Sequence, residues 1–211
     1  MKPQIKIFHI QENFAFDDFK HKIWCQAENV SLMKYWSGAL APLERRATAR
    51  LLWTNSALMA RFDCQQHEPF VINQNPQTDV EAEKLWERDV CEIFVAPDKN
   101  KSEKYFEFEV APTGEWLDYA VTQLSDCREI DTNYDSGVKT TTQIFENSFS
   151  LIFRIEWEAF GKKPKIGDEW LGNLFRCIGT GTTRGYLAWQ PTLTLEPNFH
   201  VPQAFGTLKF L

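Results

Sequence analysis

The most constraining feature of this chain is a 35-residue stretch, LWERDVCEIFVAPDKNKSEKYFEFEVAPTGEWLDY, at residues 85–119. It alternates with period two, which is the signature of a strand whose successive side chains point to opposite faces. Two strands are read from it, Asp89–Ala96 and Tyr105–Ala111, joined by a polar loop. A third, Glu115–Ala120, follows a Pro-Thr-Gly turn. Cys91, Ile93 and Val95 share one face of the first strand, and Glu92 and Phe94 share the other. On the second strand Phe106, Phe108 and Val110 oppose Tyr105, Glu107 and Glu109. One face is therefore wholly apolar and builds a core. The other sets carboxylates beside aromatics, with Trp86 at its entrance and Trp116 at its exit. Two readings of Glu92, Glu107 and Glu109 stand side by side: solvated positions on the open face of a half-buried sheet, or the floor of a site for a polyhydroxylated ligand.

The rest of the chain has the same character. QIKIFHI (4–10) alternates, and the pieces VSLMKYW and ARLLWT lie on either side of a turn. In ALMARFDCQQ (57–66), Leu58, Ala60, Phe62 and Cys64 fall on one face. SFSLIFRIEW (148–157) is the cleanest alternation, with Arg154 on the face opposite Phe149, Leu151, Phe153 and Ile155. Further strands are expected at 137–145, 170–178, 185–189 and 205–211, with polar loops at 67–84 and 121–136. Aromatics make up 14% of the residues, Phe alone supplying 17, which suits strands. No long capped amphipathic helix is evident. The expectation is one all-β domain spanning 1–211, an antiparallel β-sandwich of immunoglobulin-like or jelly-roll kind with few short helices. At 211 residues the chain can bury a core without covalent staples.

Composition removes several function classes. The formal net charge is −6 with no basic block, so a nucleic-acid partner and a polybasic membrane contact are not expected. No run approaches a membrane-spanning helix, and no signal peptide is visible, which places the chain in the cytoplasm as numbered, or outside it if a signal was removed. The cysteines (25, 64, 91, 127, 177) are odd in number and widely spaced, and read as reduced thiols. The four histidines have no ligand spacing, so no metal residues are assigned. GTGTTRGY (179–186) lacks the Gly-Lys-Ser/Thr ending of a phosphate loop and reads as a hairpin turn. Asp63 reads as an acceptor for loop amides.

LWERD, then Glu92-Ile93-Phe94, then Pro112-Thr113-Gly114, together with YLAWQP (186–191), Pro197-Asn198-Phe199-His200-Val201-Pro202 and Phe205-Gly206-Thr207-Leu208, resemble the family 9 carbohydrate-binding modules and their DOMON-like relatives. The likeness spans about residues 20–211. It implies a sandwich that binds a saccharide without cleaving it, held between two tryptophans, with a carboxylate, an arginine and amides on its hydroxyls. Trp86 matches the first tryptophan, Glu92 the carboxylate, and Trp189 is the candidate for the second wall. Where the family has its arginine, Glu107 or Glu109 stands, and Arg154 or Arg176 is the candidate replacement. Trp116 completes the candidate set. No cofactor is expected. Such modules can carry structural calcium, but no dense Asp/Asn loop assigns it here. Two alternatives are carried: a haem electron-transfer domain, for which only Met33 and Met59 remain as thioether ligands beyond Met1, and a glycoside hydrolase using two of the glutamates.

Overall fold

The computed structural model describes residues 2–11, 14–131 and 133–211; Thr132, inside the stretch read as irregular, lies outside them. The described residues form β1 (Gln4–His9), β2 (Val30–Leu32), β3 (Lys34–Tyr35), β4 (Ala47–Trp53), β5 (Ala57–Gln65), β6 (Val90–Ala96), β7 (Lys104–Val110), β8 (Trp116–Gln123), β9 (Arg128–Asp131), β10 (Lys139–Phe145), β11 (Ser148–Glu156), β12 (Glu169–Ile178), β13 (Gly185–Ala188) and β14 (Gly206–Phe210). Only short 3-10 turns punctuate them. No helix among the described residues is long and apolar enough to cross a membrane.

The strands make an all-β sandwich. One layer runs β10-β11-β5-β4, with β2 beside β4; the other runs β14-β12-β6-β7-β8-β9, with β13 beside β12 and β3 beside β13. β1 joins them. Its first four residues pair with β14 and its last two pair with β4, both in parallel. This is a departure from the purely antiparallel expectation; the other ladders are antiparallel.

The two layers close on an apolar interior to which β5 gives Leu58, Ala60, Phe62 and Cys64, β11 gives Phe149, Leu151, Phe153 and Ile155, and β6 and β7 give Cys91, Ile93, Val95, Phe108 and Val110. The alternation in each strand sets which residues enter. A fully buried side chain of this size contributes about 1.5–3 kcal/mol. Arg154 lies on the outer face of its layer, bonded to Glu156 at 2.6 Å and to Ser56. Asp63 accepts from the side chains of Arg50, Arg61 and Ser150, not from loop amides.

The opposite face of β6 and β7 is the one read as a candidate open face, and it is covered. Every residue of β6 is buried. The segment after β13 folds back over it, bringing Phe199 and Phe205 against Phe94, Tyr105, Leu117 and Phe175. Phe199 stacks on Phe175 with centroids 4.0 Å apart. The return of this segment turns an ordinary sheet surface into the wall of a cavity.

Candidate functional site

The cavity, about 290 Å³, lies on this covered face. Its floor is made by Glu92 from β6 and Glu107 and Glu109 from β7. In the β6–β7 ladder Glu92 stands directly opposite Glu109, and Phe94 opposite Glu107. The three side chains therefore project from one patch of one sheet, and an oxygen of each lies within 4.8 Å of the others. All three are at most 3% exposed. Apart from a proton that Glu107 and Glu109 share between them, both carboxylate oxygens of Glu109 and Oε2 of Glu107 have no hydrogen-bond partner.

Burying unpartnered carboxylates is costly, and the groups respond by holding their protons. Burial, reinforced by the charge of Glu107, pushes Glu92 up to about 8. Burial pushes Glu107 up to about 7. Glu109 is pushed well above the usual carboxylate range by burial and by its two acidic neighbours. The Cys177 thiol from β12 donates to Glu92 Oε1 at 3.3 Å and is itself held far above its usual value by burial.

Rings form the walls. Trp86, 41% exposed, stands at the mouth; Tyr119 comes from β8, Tyr186 from β13 and Phe199 from the returning segment. Trp86 sits in a 3-10 turn, Leu85–Glu87, whose neighbours are anchored one by one. Leu85 is buried in the core under the site. Arg88 pairs with Glu115 at 2.9 Å. Asp89 accepts from the amides of Val71 and Gly179, each at 2.8 Å, and from Gln66. Arg184 donates to the Trp86 carbonyl and lies over the Tyr186 ring. The LWERD run thus positions one indole and spends its other side chains on holding that position.

His200 and Arg128 complete the lining. His200 Nδ1 shares a hydrogen bond with the Tyr105 hydroxyl at 2.8 Å and lies 3.9 Å from Glu107. Burial, with the nearby Arg128 charge, holds this imidazole down to about 3, so it is neutral. Arg128 sits on β9, an exposed edge strand inside the stretch read as irregular.

Of the sequence candidates, Trp86, Glu92, Glu107 and Glu109 come together here. Four others do not. Trp116 pairs with Val110, packs half-buried against the interior cluster and donates its indole N–H to the Thr78 carbonyl. Arg154 belongs to the opposite layer. Arg176 alternates with Phe175 and Cys177, so it faces the interior. There it is fully buried, donating to the Arg45 and Arg46 carbonyls and to Gln66. Trp189 packs its ring over Gly206. None of the four lines the cavity. Tyr119, Tyr186, Phe199, His200 and Arg128 do line it; in the sequence only the period-two register of β8 and the aromatics of the 186–202 run hinted at them.

An all-β sandwich with an acid-floored, ring-walled cavity on one covered sheet face is the architecture of a ligand-binding module. The profile of the carbohydrate family 9 binding domain-like family matches residues 17–211, and the chain belongs to that family. The fold is shared with solved structures at low identity. A structure from Bacteroides uniformis, described as an inferred carbohydrate-binding protein, is 19% identical with a TM-score of 0.78, covering 100% of both chains. A family 9 carbohydrate-binding module from Caldicellulosiruptor kristjanssonii in complex with cellotriose is 16% identical, with a TM-score of 0.69 over 99% of this chain and 93% of that one. A module from the same organism in complex with glucose is also 16% identical, with a TM-score of 0.68 over 98% and 95%. No curated protein sequence matches the chain significantly.

Proposed function

We propose that this protein is a non-catalytic saccharide-binding module whose site is the cavity between Trp86 and the glutamate floor. The observation that carries this reading is the coincidence, in a chain of this family, of an exposed indole at the cavity mouth with buried, under-bonded carboxylates at its base. Sugar C–H faces pack on rings, and sugar hydroxyls donate to carboxylates that otherwise lack partners. The cellotriose and glucose held by the Caldicellulosiruptor modules support a saccharide of glucose-like size as the ligand class.

Binding is favoured over hydrolysis by the placement of the acids. A glycosidase needs two carboxyl groups flanking the scissile bond. Here all three rise from adjacent positions of one sheet face. The haem alternative fits less well, since the cavity lining includes His200 and no methionine, and Met59 is buried in a separate cluster under residues 14–27. Intrinsic tryptophan fluorescence, titrated with glucose, cellobiose and cellotriose, tests the reading. A saturable change that disappears in a folded Trp86→Ala variant is expected. A flat response to every saccharide overturns it.

A further inference from the structure

We propose that the Glu92–Glu107–Glu109 floor selects a saccharide carrying a free, protonated amino group. This deepens the carbohydrate reading above and rests on it.

The floor holds more acid than a neutral sugar needs. Three carboxylates face one cavity, and none of them forms an ion pair with Arg or Lys among the described residues. Arg128 lines the cavity from an exposed strand without pairing with them. Arg184 is engaged with the carbonyls of Gly179 and Trp86. Both oxygens of Glu109, 1% exposed, face this space with no partner outside the acidic floor itself. Neutral hydroxyls would leave the three acids holding protons against their mutual repulsion, whereas a cationic ligand lets them ionise around it. Such a ligand meets the lack of partners and the repulsion at once.

Geometry and walls narrow the kind of cation. An ammonium head has three N–H donors in tetrahedral directions. Acceptors about 2.8 Å from its nitrogen stand at most about 4.6 Å apart, and three oxygens that all lie within 4.8 Å of one another are close enough for one such head to reach together. Above the floor, Trp86 and Tyr119 present rings, which attract cations as well as packing on the sugar; the Tyr186 ring already carries Arg184. A hard metal ion instead needs about six to eight oxygens around it. Beyond the three carboxylates, the nearby lining offers rings, a thiol and an imidazole.

The test is calorimetric titration of the protein, freed of metal by chelation, with glucosamine, glucose and N-acetylglucosamine at one pH near 6.5. The three differ at C2, and only glucosamine carries a charge there. Glucosamine is expected to bind about tenfold or more tighter than glucose, the size of one charge-assisted hydrogen bond, and N-acetylation is expected to abolish that advantage. In E109Q, and separately in E107Q, the glucosamine-to-glucose ratio is expected to fall towards one. Equal binding of glucosamine and glucose overturns the inference and leaves the carbohydrate reading standing. Saturable binding of calcium or manganese without any glucosamine preference overturns it in favour of a metal floor. Failure of all three sugars to bind, with cellotriose also silent, removes the carbohydrate reading itself.

Discussion

Glu92 and Glu109 face each other as a direct cross-strand pair, both buried, with neither carboxylate bonded to a cation. Like charges directly opposite on a sheet are destabilising. The pair is tolerable in the free protein because the groups hold protons, and in a complex because a ligand takes up their bonding capacity.

This gives the ligand-free protein an unusual pH response. Glu92 and Glu107 titrate at about 8 and about 7, against an ordinary value of 4.5, so the folded chain holds protons that the unfolded chain has released. Stability from these groups is therefore full below pH 4.5 and is lost as pH rises through 7 and 8. Asp118, raised to about 6 by burial, acts in the same direction and is spent by then. His200, held down to about 3, acts oppositely, adding stability between about 3 and 6.5 and nothing above. Between pH 6.5 and 8.5 the carboxylate effect leads, joined towards the upper end by the buried Cys91 and Cys177 thiols, which are held above their usual value and act in the same direction. A loss on the order of 1–3 kcal/mol is expected, at 1.36 kcal/mol per proton per pH unit. That corresponds to a melting temperature lower by roughly 2–10 °C. Calorimetry in low-salt buffers would detect it, and Glu109→Gln should flatten the slope. A melting temperature that holds or rises over this window would show the acids to be ionised throughout.

Trp86→Ala should cost binding and little else. The indole is 41% exposed, and the turn beneath it is fixed through Leu85, Arg88, Asp89 and the Trp86 carbonyl, all of which the substitution keeps. A stability change within about 0.5–1 kcal/mol is expected. The loss of saccharide affinity should be about 2 kcal/mol, or roughly thirtyfold. Denaturation and titration of the same preparation separate the two.

Arg176 should behave in the opposite way. Its guanidinium lies inside the sandwich and donates to two carbonyls of the Arg45–Arg46 turn and to Gln66. Arg176→Met would leave buried acceptors unpaired and is expected to cost about 2–4 kcal/mol. Arg176→Lys should not restore this, because an ammonium lacks the planar fork. Urea denaturation measures the loss. Saccharide affinity at temperatures where the variant is folded should stay within about twofold of the parent, a difference of about 0.4 kcal/mol.

Gly206 tests where Trp189 belongs. A Cβ built there would come within 2.3 Å of the Trp189 ring and 2.9 Å of the Pro3 carbonyl. Gly206→Ala must displace the indole or part the start of β14 from the residue before β1. A loss of about 1–3 kcal/mol is expected, with an altered near-ultraviolet circular dichroism signal.

The alternation of residues 85–119 made the interior face and the acidic face readable, because period two is a local property of the chain. It also put Glu92, Glu107 and Glu109 on one side. What lay beyond it was everything that depends on distant pairing. Nothing local to Arg176 tells whether its register in β12 sends it inwards or outwards, and the ladder with β6 decides it. β9 is exposed at every position, so it carries no apolar rhythm to betray a strand, and Arg128 went unseen with it. His200 meets Tyr105 across 95 residues of chain. Trp189 looked like a wall because its neighbours matched a pattern, yet the absence of a side chain at Gly206 offers its ring a bed on the other side.

β1 lies between β14 and β4 and runs parallel to both. A pull on the chain ahead of β1 and beyond β14 would drag these two neighbouring strands in opposite directions along their length. Their hydrogen bonds, from the Gln4–Thr207 pairing to the Ile7–Phe210 pairing, would then be loaded together and not broken one after another. The junction of the two layers is thus built as a mechanical clamp, and a domain tethered at both ends would carry the load there in shear.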